Sequence, residues 1–201
     1  MSDGCVLKGD GMFDSFKEKA EAVSSEVYRF STVPDASDFI VRFLKSEGVE
    51  DASGHYAVWA DDPFLAGVDK KRLAEQVPGL HFTVTRDMAA GARVGISQAC
   101  WGLANTGTLV LDSTAIEQRL VSTLPEIHIA LLAEGSLLPD LPSLFSRIDP
   151  VKSAYIAFIS GPSRTADIER VLTIGVHGPK RLVVLCVDKE LSNDEAIQTK
   201  R

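Results

Sequence analysis

The sequence predicts an α/β fold built around a parallel sheet. Two nearly uninterrupted apolar runs, at residues 154–159 and 182–187, have the composition of parallel strands that are covered on both faces. Segments of strand character also alternate along the chain with segments of helical character, which is typical of α/β proteins. The chain has 201 residues, of which 45% are hydrophobic and 24% are charged, and this composition fits one globular domain.

In the first half of the chain, two predicted helices precede the first predicted strand. Residues 10–30 place Phe13, Phe16 and Val27 on one face of an amphipathic helix, which either packs on the core or binds a partner. The elements predicted after it are helices at 35–48 and 63–77 and strands at 56–59 and 80–84. The resulting division is a helical amino-terminal extension at 1–50, an α/β domain at 51–190 and a polar tail at 191–201.

The middle of the chain predicts strands joined by turns. Glycine density rises between residues 92 and 111, which favours paired strands and turns over a helix. Residues 126–132 follow as another strand, in which His128 shares a face with Ala130 and Leu132. A lone histidine among apolar neighbours is more often a buried core residue than a catalyst, and we therefore expect His128 to be buried.

Residues 137–148 predict a helix that leads into the segment 153–188, around which the rest of the chain is organised. In this segment the two apolar runs flank a loop and a helix predicted from Thr165 to Gly175. This order predicts a right-handed strand–helix–strand crossover. Its loop would then lie at the carboxyl end of a strand and the amino end of a helix.

That loop is a candidate anion site, because the first N–H groups of a helix have no intrahelical partners and carry partial positive charge. The groups that it offers are hydroxyls, a close backbone approach and a guanidinium, from Ser160, Gly161, Ser163, Arg164 and Thr165. The same residues also have a structural interpretation, in which a hydroxyl caps the helix, the glycine shapes the turn and the arginine forms a surface ion pair. Spacing alone favours neither interpretation.

Composition and charge exclude several classes of function. The formal net charge is −7, and no run of Lys or Arg alternates with aromatic residues, so we expect no nucleic-acid binding. No apolar run approaches the roughly 20 residues of a membrane span, and the first residues lack the features of a signal peptide. We therefore expect a cytoplasmic protein without membrane insertion.

The three cysteines, Cys5, Cys100 and Cys186, lie far apart and form no CxxC pair, which is typical of a reducing compartment and excludes an iron–sulfur motif. Cys186 is expected in the core, whereas a nucleophilic Cys100 would need a partner such as His128. The histidines lack acidic or cysteine neighbours at metal-ligand spacing. We therefore expect neither a metal site nor a cofactor in this chain.

The motifs GIS at 95–97, ANTGTLVL at 104–111 and GPSRTADIE at 161–169 resemble those of the lactate-utilisation protein C family, which is built on the LUD domain. Residues 161–169 read GPSRTADIE, and residues 175–179 read GVHGP, as in the closing signature of that family. The central segment of the family is matched by GIS at 95–97, ANTGTLVL at 104–111 and RLVSTLPEIH at 119–128. The resemblance covers roughly residues 90–188 and is specific because the three motifs occur in the same order and at similar spacing.

The resemblance implies the fold shared by ribose-5-phosphate isomerases and class I CoA-transferases, an open twisted sheet with helices on both faces. It also favours a ligand-facing role for the central segment, whose candidate residues are Asn105, Thr106, Gly107, Thr108, Arg119 and His128. Asn105 and Gly107 are also ordinary turn formers, so a structural role is open as well. The acidic residues on which those enzymes depend are absent from this turn, and their activity cannot be carried over.

Two hypotheses of function follow. The resemblance implies a component of a cytoplasmic system that oxidises lactate to pyruvate beside separate iron–sulfur subunits, with the Arg164 loop binding a small carboxylate or docking a partner. The alternative is a stand-alone enzyme or binding protein for phosphorylated sugars or acyl-CoA, which would use the same loop for phosphate. The sequence is compatible with catalysis and with binding alone, and it identifies no catalytic residue.

Overall fold

The computed structural model describes residues 10–148, 153–166, 172–174 and 178–188. The helices of this part are α1 (Asp10–Ala22), α2 (Val33–Ser46), α3 (Lys70–Gln76), α4 (Arg86–Ala90), α5 (Ile116–Thr123) and α6 (Leu141–Phe145). The first strands are β1 (Glu26–Phe30), β2 (Tyr56–Trp59), β3 (Leu80–His81), β4 (Ala92–Ala99), β5 (Trp101–Leu103) and β6 (Thr108–Asp112). The remaining strands are β7 (Ile127–Ala133), β8 (Leu137–Leu138), β9 (Ile156–Ile159), β10 (Arg164–Ala166), β11 (Leu172–Ile174) and β12 (Arg181–Val187).

Six strands form a parallel sheet in the order β1-β12-β7-β4-β2-β3. One face of β7 packs with Ile40 and Leu44 of α2, while the opposite face packs with Phe13 and Phe16 of α1. The predicted α/β fold, with a parallel sheet and helices on both faces, is confirmed. None of the described helices is both long and apolar enough to cross a bilayer.

The predicted register of β7 is also confirmed. Ile127, Ile129 and Leu131 belong to the core on the α2 face, and Ala130 and Leu132 belong to the core on the α1 face. His128 is fully buried beside them. A strand with apolar side chains on both faces is stable only between two packed layers, and the composition of β7 therefore indicates a central position in the sheet.

Four strands form a second sheet in the order β8-β5-β6-β9. The prediction for residues 154–159 is wrong in this respect, because β9 pairs antiparallel with β6 and is not a strand of the parallel sheet. It is also incompletely covered, since 48% of Phe158 and 54% of the preceding Tyr155 are exposed. An apolar run of this length indicates a strand but not the sheet to which the strand belongs.

The predicted helix from Thr165 is wrong in the described residues, because β10 and β11 pair as antiparallel strands. Arg164 lies opposite Ile174 in this pairing. The segment is rich in β-branched residues, which favour strands over helices. No helix therefore begins at the loop before β10, and the described residues of this segment do not form the predicted strand–helix–strand crossover. Residues 167–171 and 175–177 lie outside the described residues, as do Cys5 and the predicted tail at 191–201.

Several predicted helices are shorter than their apolar patterns indicated. Residues 26–30 form β1 at the edge of the parallel sheet, so the segment predicted as a helical extension contributes a strand to the α/β layer. The predicted helix at 63–77 divides into the 3₁₀ turn Pro63–Gly67 and α3 because Val68 is extended. The predicted helix at 137–148 is reduced to α6, since residues 137–138 pair with β5. The spacing of apolar side chains does not show where the backbone leaves the helical conformation.

Close packing places α5 directly on the parallel sheet. Gly95 of β4 lies against the backbone of Val121, and a Cβ at Gly95 would overlap the Val121 carbonyl. Glycine is therefore required here for packing. This contact holds α5 near the first residues of β7, where a cavity is found.

Candidate functional site

A cavity of about 470 Å³ opens where the first residues of β7 and β12 face β9 and α5. Its polar lining comes from Ser113, Arg119, Ser122, Thr123, His128, Ser160 and Ser163. Its apolar lining comes from Tyr155, Ala157, Phe158, Ile159, Pro179 and Leu182, with Gly161 and Gly178 beside them. A concave, mostly apolar site with a few polar groups is the usual form of a small-molecule site.

His128, the second residue of β7, is fully buried at this cavity. Its Nε2 lies 2.8 Å from Ser97 Oγ, whereas its Nδ1 has no hydrogen-bond partner among the described residues. Burial lowers the pKa of His128 to about 4, because the charged imidazolium is poorly solvated there. The imidazole is therefore neutral at pH 7 and offers one unpaired polar atom.

Arg119 supplies the positive charge of the cavity from helix α5. Its Nη1 donates to the backbone carbonyl oxygens of Ser113 and Thr114, and its guanidinium carbon lies 5.4 Å from the centre of the Tyr155 ring. Within the described ranges, neither Nε nor Nη2 of Arg119 has a hydrogen-bond partner. That pair of donors forms the edge with which a guanidinium binds a carboxylate in bidentate fashion.

Ser113 adds a second unpaired polar atom. Its side chain is fully buried, and its Oγ has no hydrogen-bond partner in the part of the chain that the structure describes. The backbone N–H of Ser113 donates to the Tyr155 carbonyl at 2.9 Å, which ties the end of β6 to the start of β9. A buried hydroxyl without a partner costs free energy, and a bound ligand would remove that cost.

Hydroxyl groups of the second sheet complete the polar lining. Ser160 Oγ lies 2.8 Å from Thr108 Oγ1, which also accepts a hydrogen bond from Thr106 Oγ1 at 2.8 Å. The backbone N–H of Ser163 donates to the Pro179 carbonyl at 2.8 Å. These bonds hold the 160–163 loop between the two sheets.

The cavity favours a negatively charged ligand although the chain as a whole is acidic. Among the described residues that line it, Arg119 is the one charged side chain, and none is a carboxylate. Asp112 lies nearby but outside the lining, and its carboxylate accepts from Thr114 N at 2.9 Å and Ser153 Oγ at 3.3 Å. With a neutral imidazole at His128, the described residues of the lining carry one net positive charge.

The sequence-predicted site residues are divided by the structure. Ser160, Gly161, Ser163, Arg119 and His128 line one cavity. The turn Asn105-Thr106-Gly107-Thr108 lies outside this lining. Its glycine instead lies under α1, because a Cβ at Gly107 would overlap the backbone of Ala20. Gly161 makes a similar close approach to the Val23 carbonyl.

Arg164 also contacts the end of α1. Its Nη2 donates to Val23 O at 3.2 Å and to Ser24 Oγ at 2.7 Å, and the residue is exposed and outside the cavity lining. A cation at the carboxyl end of a helix complements the helix dipole and satisfies a free carbonyl. The geometry therefore gives Arg164 a structural contact, while the side chain of Thr165 is not described.

Sequence reasoning missed several residues of the lining, of which Ser113, Tyr155 and Leu182 matter most. Ser113 carries a weak signal, as a small polar residue directly after an apolar strand. Tyr155 and Leu182 carry none, because both read as ordinary strand residues. The pairing of β9 with β6 brings Tyr155 to the cavity, and the pairing of β12 with β7 places Leu182 beside His128 there.

The cysteines and possible metal ligands lie apart from this site. Burial raises the pKa of Cys100 to about 11 and that of Cys186 to about 12, so both are thiols at pH 7. Neither lines the cavity, and the described partner of His128 is Ser97. Within the described ranges, no three His, Cys, Asp or Glu side chains are arranged to hold a metal ion.

Comparisons with known proteins place the chain in a family. The family model of the LUD domain matches residues 13–187. "Uncharacterized protein YkgG" of Escherichia coli (strain K12) is 38% identical over 106 residues, which are 50% of this chain and 46% of that protein. "Lactate utilization protein C 1" of Bacillus mycoides (strain KBAB4) is 37% identical over 108 residues, which are 51% of this chain and 46% of that protein.

The aligned part spans about half the length of these curated relatives. A crystal structure of a DUF162 family protein from Deinococcus radiodurans superposes with a TM-score of 0.64 at 18% identity, covering 90% of this chain and 99% of that one. This likeness shows the fold. Because the family model covers most of the sequence, the chain belongs to the LUD-domain family.

Proposed function

We propose that this protein is a component of a cytoplasmic lactate-utilisation system and that its cavity binds a carboxylate. Relatives with 37% identity that are named lactate utilization protein C support the first part. The observation that carries the second part is Arg119. Among the described residues, its Nε and Nη2 have no hydrogen-bond partner, and none of those that line the cavity is acidic.

The charge of the lining favours a monoanion. Arg119 contributes one positive charge, and His128 contributes none at pH 7. A carboxylate is neutralised by one guanidinium, whereas a phosphate dianion would keep one uncompensated charge in a partly enclosed site, which is costly. Lactate and pyruvate are both monocarboxylates and satisfy this condition.

The electrons of lactate oxidation require other subunits. Conversion of lactate to pyruvate releases two electrons and two protons, and the described cysteines, Cys100 and Cys186, are separated and protonated. Iron–sulfur clusters need several thiolate ligands in one place. We therefore assign electron transfer to separate iron–sulfur subunits and carboxylate binding to this chain.

A second candidate is a stand-alone enzyme or binding protein for phosphorylated sugars or acyl-CoA. The cavity volume of about 470 Å³ favours it, because lactate alone would leave much of that space empty. The single positive charge of the lining opposes it, since these ligands carry two or more negative charges.

Growth on lactate tests the proposal. We expect a deletion strain to grow poorly on lactate as sole carbon source and a wild-type copy to restore growth. Arg119→Met should fail to restore growth, while Arg164→Met, which removes an arginine outside the cavity, should restore it. Melting temperatures of both purified variants control for folding. Normal growth of the deletion strain, or full rescue by a folded Arg119→Met protein, would contradict the proposal.

A further inference from the structure

We infer that the carboxylate bound in this cavity is larger than lactate, with an apolar body and at least one uncharged hydroxyl or oxo group. This inference rests on the proposed carboxylate site, but it does not depend on the role in lactate utilisation. It concerns which molecule the site selects.

The cavity is much larger than a lactate molecule. At about 30 Å³ for each water molecule in the liquid, a cavity of about 470 Å³ has the volume of about sixteen waters. Lactate has three carbons and three oxygens and would leave most of this space to solvent. Cavities of this volume normally enclose ligands several times larger than lactate.

One wall of the cavity is apolar. Ala157 and Ile159 of β9 line the cavity together with Pro179 and Leu182 at the start of β12. None of these four side chains can hydrogen-bond, and three carbons cannot cover them while their carboxylate is bound at Arg119. An aliphatic or aromatic body attached to the carboxylate would exclude water from this wall and would gain affinity from its own burial.

Two residues of the lining each carry a polar side-chain atom that has no partner among the described residues. Ser113 Oγ and His128 Nδ1 are fully buried and have no hydrogen-bond partner among the described residues. Both residues line the cavity. A purely aliphatic carboxylate would leave at least one of these atoms unpaired, at an energetic cost. A hydroxyl or oxo group on the ligand would form a hydrogen bond with one of these two atoms without adding charge to the cavity.

Ser97 determines which kind of hydrogen bond His128 can form with a ligand. Its Oγ lies 2.8 Å from His128 Nε2, so the direction of that hydrogen bond determines whether Nδ1 carries the proton. A neutral imidazole can therefore accept from a ligand hydroxyl or donate to a ligand oxo group. Neither contact requires a change of net charge in the cavity.

Calorimetric titration with a series of carboxylates tests the size requirement. We expect dissociation constants to fall from acetate and lactate through hexanoate to octanoate, by about threefold to fourfold for each added methylene that is buried. Arg119→Met should weaken octanoate binding about tenfold to a hundredfold, and Arg164→Met should leave it unchanged. If Arg119→Met does not fold, Arg119→Lys keeps the charge, loses the bidentate edge and should also bind more weakly. Equal affinity for lactate and octanoate, or no binding of any of these acids, would overturn the inference.

A second titration tests the polar contact. Octanoate is compared with 2-hydroxyoctanoate and 3-hydroxyoctanoate on wild type, His128→Gln and Ser113→Ala. We expect at least one hydroxy acid to bind the wild type about threefold to tenfold more tightly than octanoate, by about one neutral hydrogen bond. One of the two variants should abolish that preference while it keeps its affinity for octanoate. Equal binding of all three acids to the wild type would overturn the assignment.

These outcomes can be separated from the proposed function. A protein that binds octanoate in the cavity but whose deletion does not affect growth on lactate would uphold this inference and contradict the physiological role. If instead the protein is required for growth on lactate and binds lactate as well as it binds octanoate, the physiological role is upheld and this inference is contradicted.

Discussion

Substitution of Gly107 tests whether its turn supports helix α1 or faces a ligand. Its φ is +65°, and a Cβ there would overlap the backbone of Ala20 in α1. Gly107→Ala should therefore lower the free energy of unfolding. The left-handed alanine costs about 1–2 kcal/mol and the overpacking about 1–3 kcal/mol, in total about 2–5 kcal/mol. For a chain of this length, we expect the melting temperature to fall by about 4–20 °C.

Gly48 provides a matched control for this variant. Its φ is +71°, and no atom would lie within 4 Å of a Cβ at this position, so Gly48→Ala carries the conformational cost without the overlap. We expect a decrease of about 2–8 °C for this control, measured by differential scanning calorimetry. Equal melting temperatures for the two variants, together with a loss of carboxylate affinity in Gly107→Ala alone, would refute the packing argument and support a ligand-facing turn.

Three further predictions concern single groups. Because burial depresses the pKa of His128 to about 4, unfolding should become easier as pH falls from about 6.5 towards 4, where the unfolded state gains a proton and the folded state does not. Chemical denaturation of wild type and His128→Gln across this range should show a shallower pH dependence in the variant, and parallel curves would contradict the burial argument. Arg164→Met should lower the melting temperature slightly, through loss of exposed bonds to Val23 and Ser24, and a large decrease would assign Arg164 a greater structural role. The anaerobically purified chain should contain no stoichiometric iron or labile sulfide, and visible absorption from a cluster would overturn the assignment of electron transfer to other subunits.

The fold class followed from composition because buried parallel strands are apolar on both faces. The run at β12 predicted a buried parallel strand, and its parallel pairing with β7 was found. The run at β9 has a similar composition, but it joins a second sheet whose existence depends on pairing with β6. Hydrophobicity of this kind indicates a strand, whereas the layers that cover it and the strands that pair with it are long-range properties that one segment does not contain.

The sequence predicted only part of the candidate site, because the contacts that bring its residues together are also long-range. Arg119 and His128 were named from the sequence, and the structure brings them to one cavity. Gly161 was interpreted as a point of close backbone approach and Gly107 as a turn former. The structure places Gly107 against Ala20 of α1 and Gly161 against Val23, the residue that follows α1. A glycine requirement shows that something lies close, and only the folded chain shows whether that neighbour is a ligand or a helix.

The most direct test of the cavity as a carboxylate site is a crystal structure of the protein grown with octanoate. We predict its carboxylate on the Nε and Nη2 edge of Arg119 and its chain along the wall formed by Ile159 and Leu182. Octanoate bound instead at Arg164, or a cavity that contains only water at saturating ligand concentration, would contradict the account.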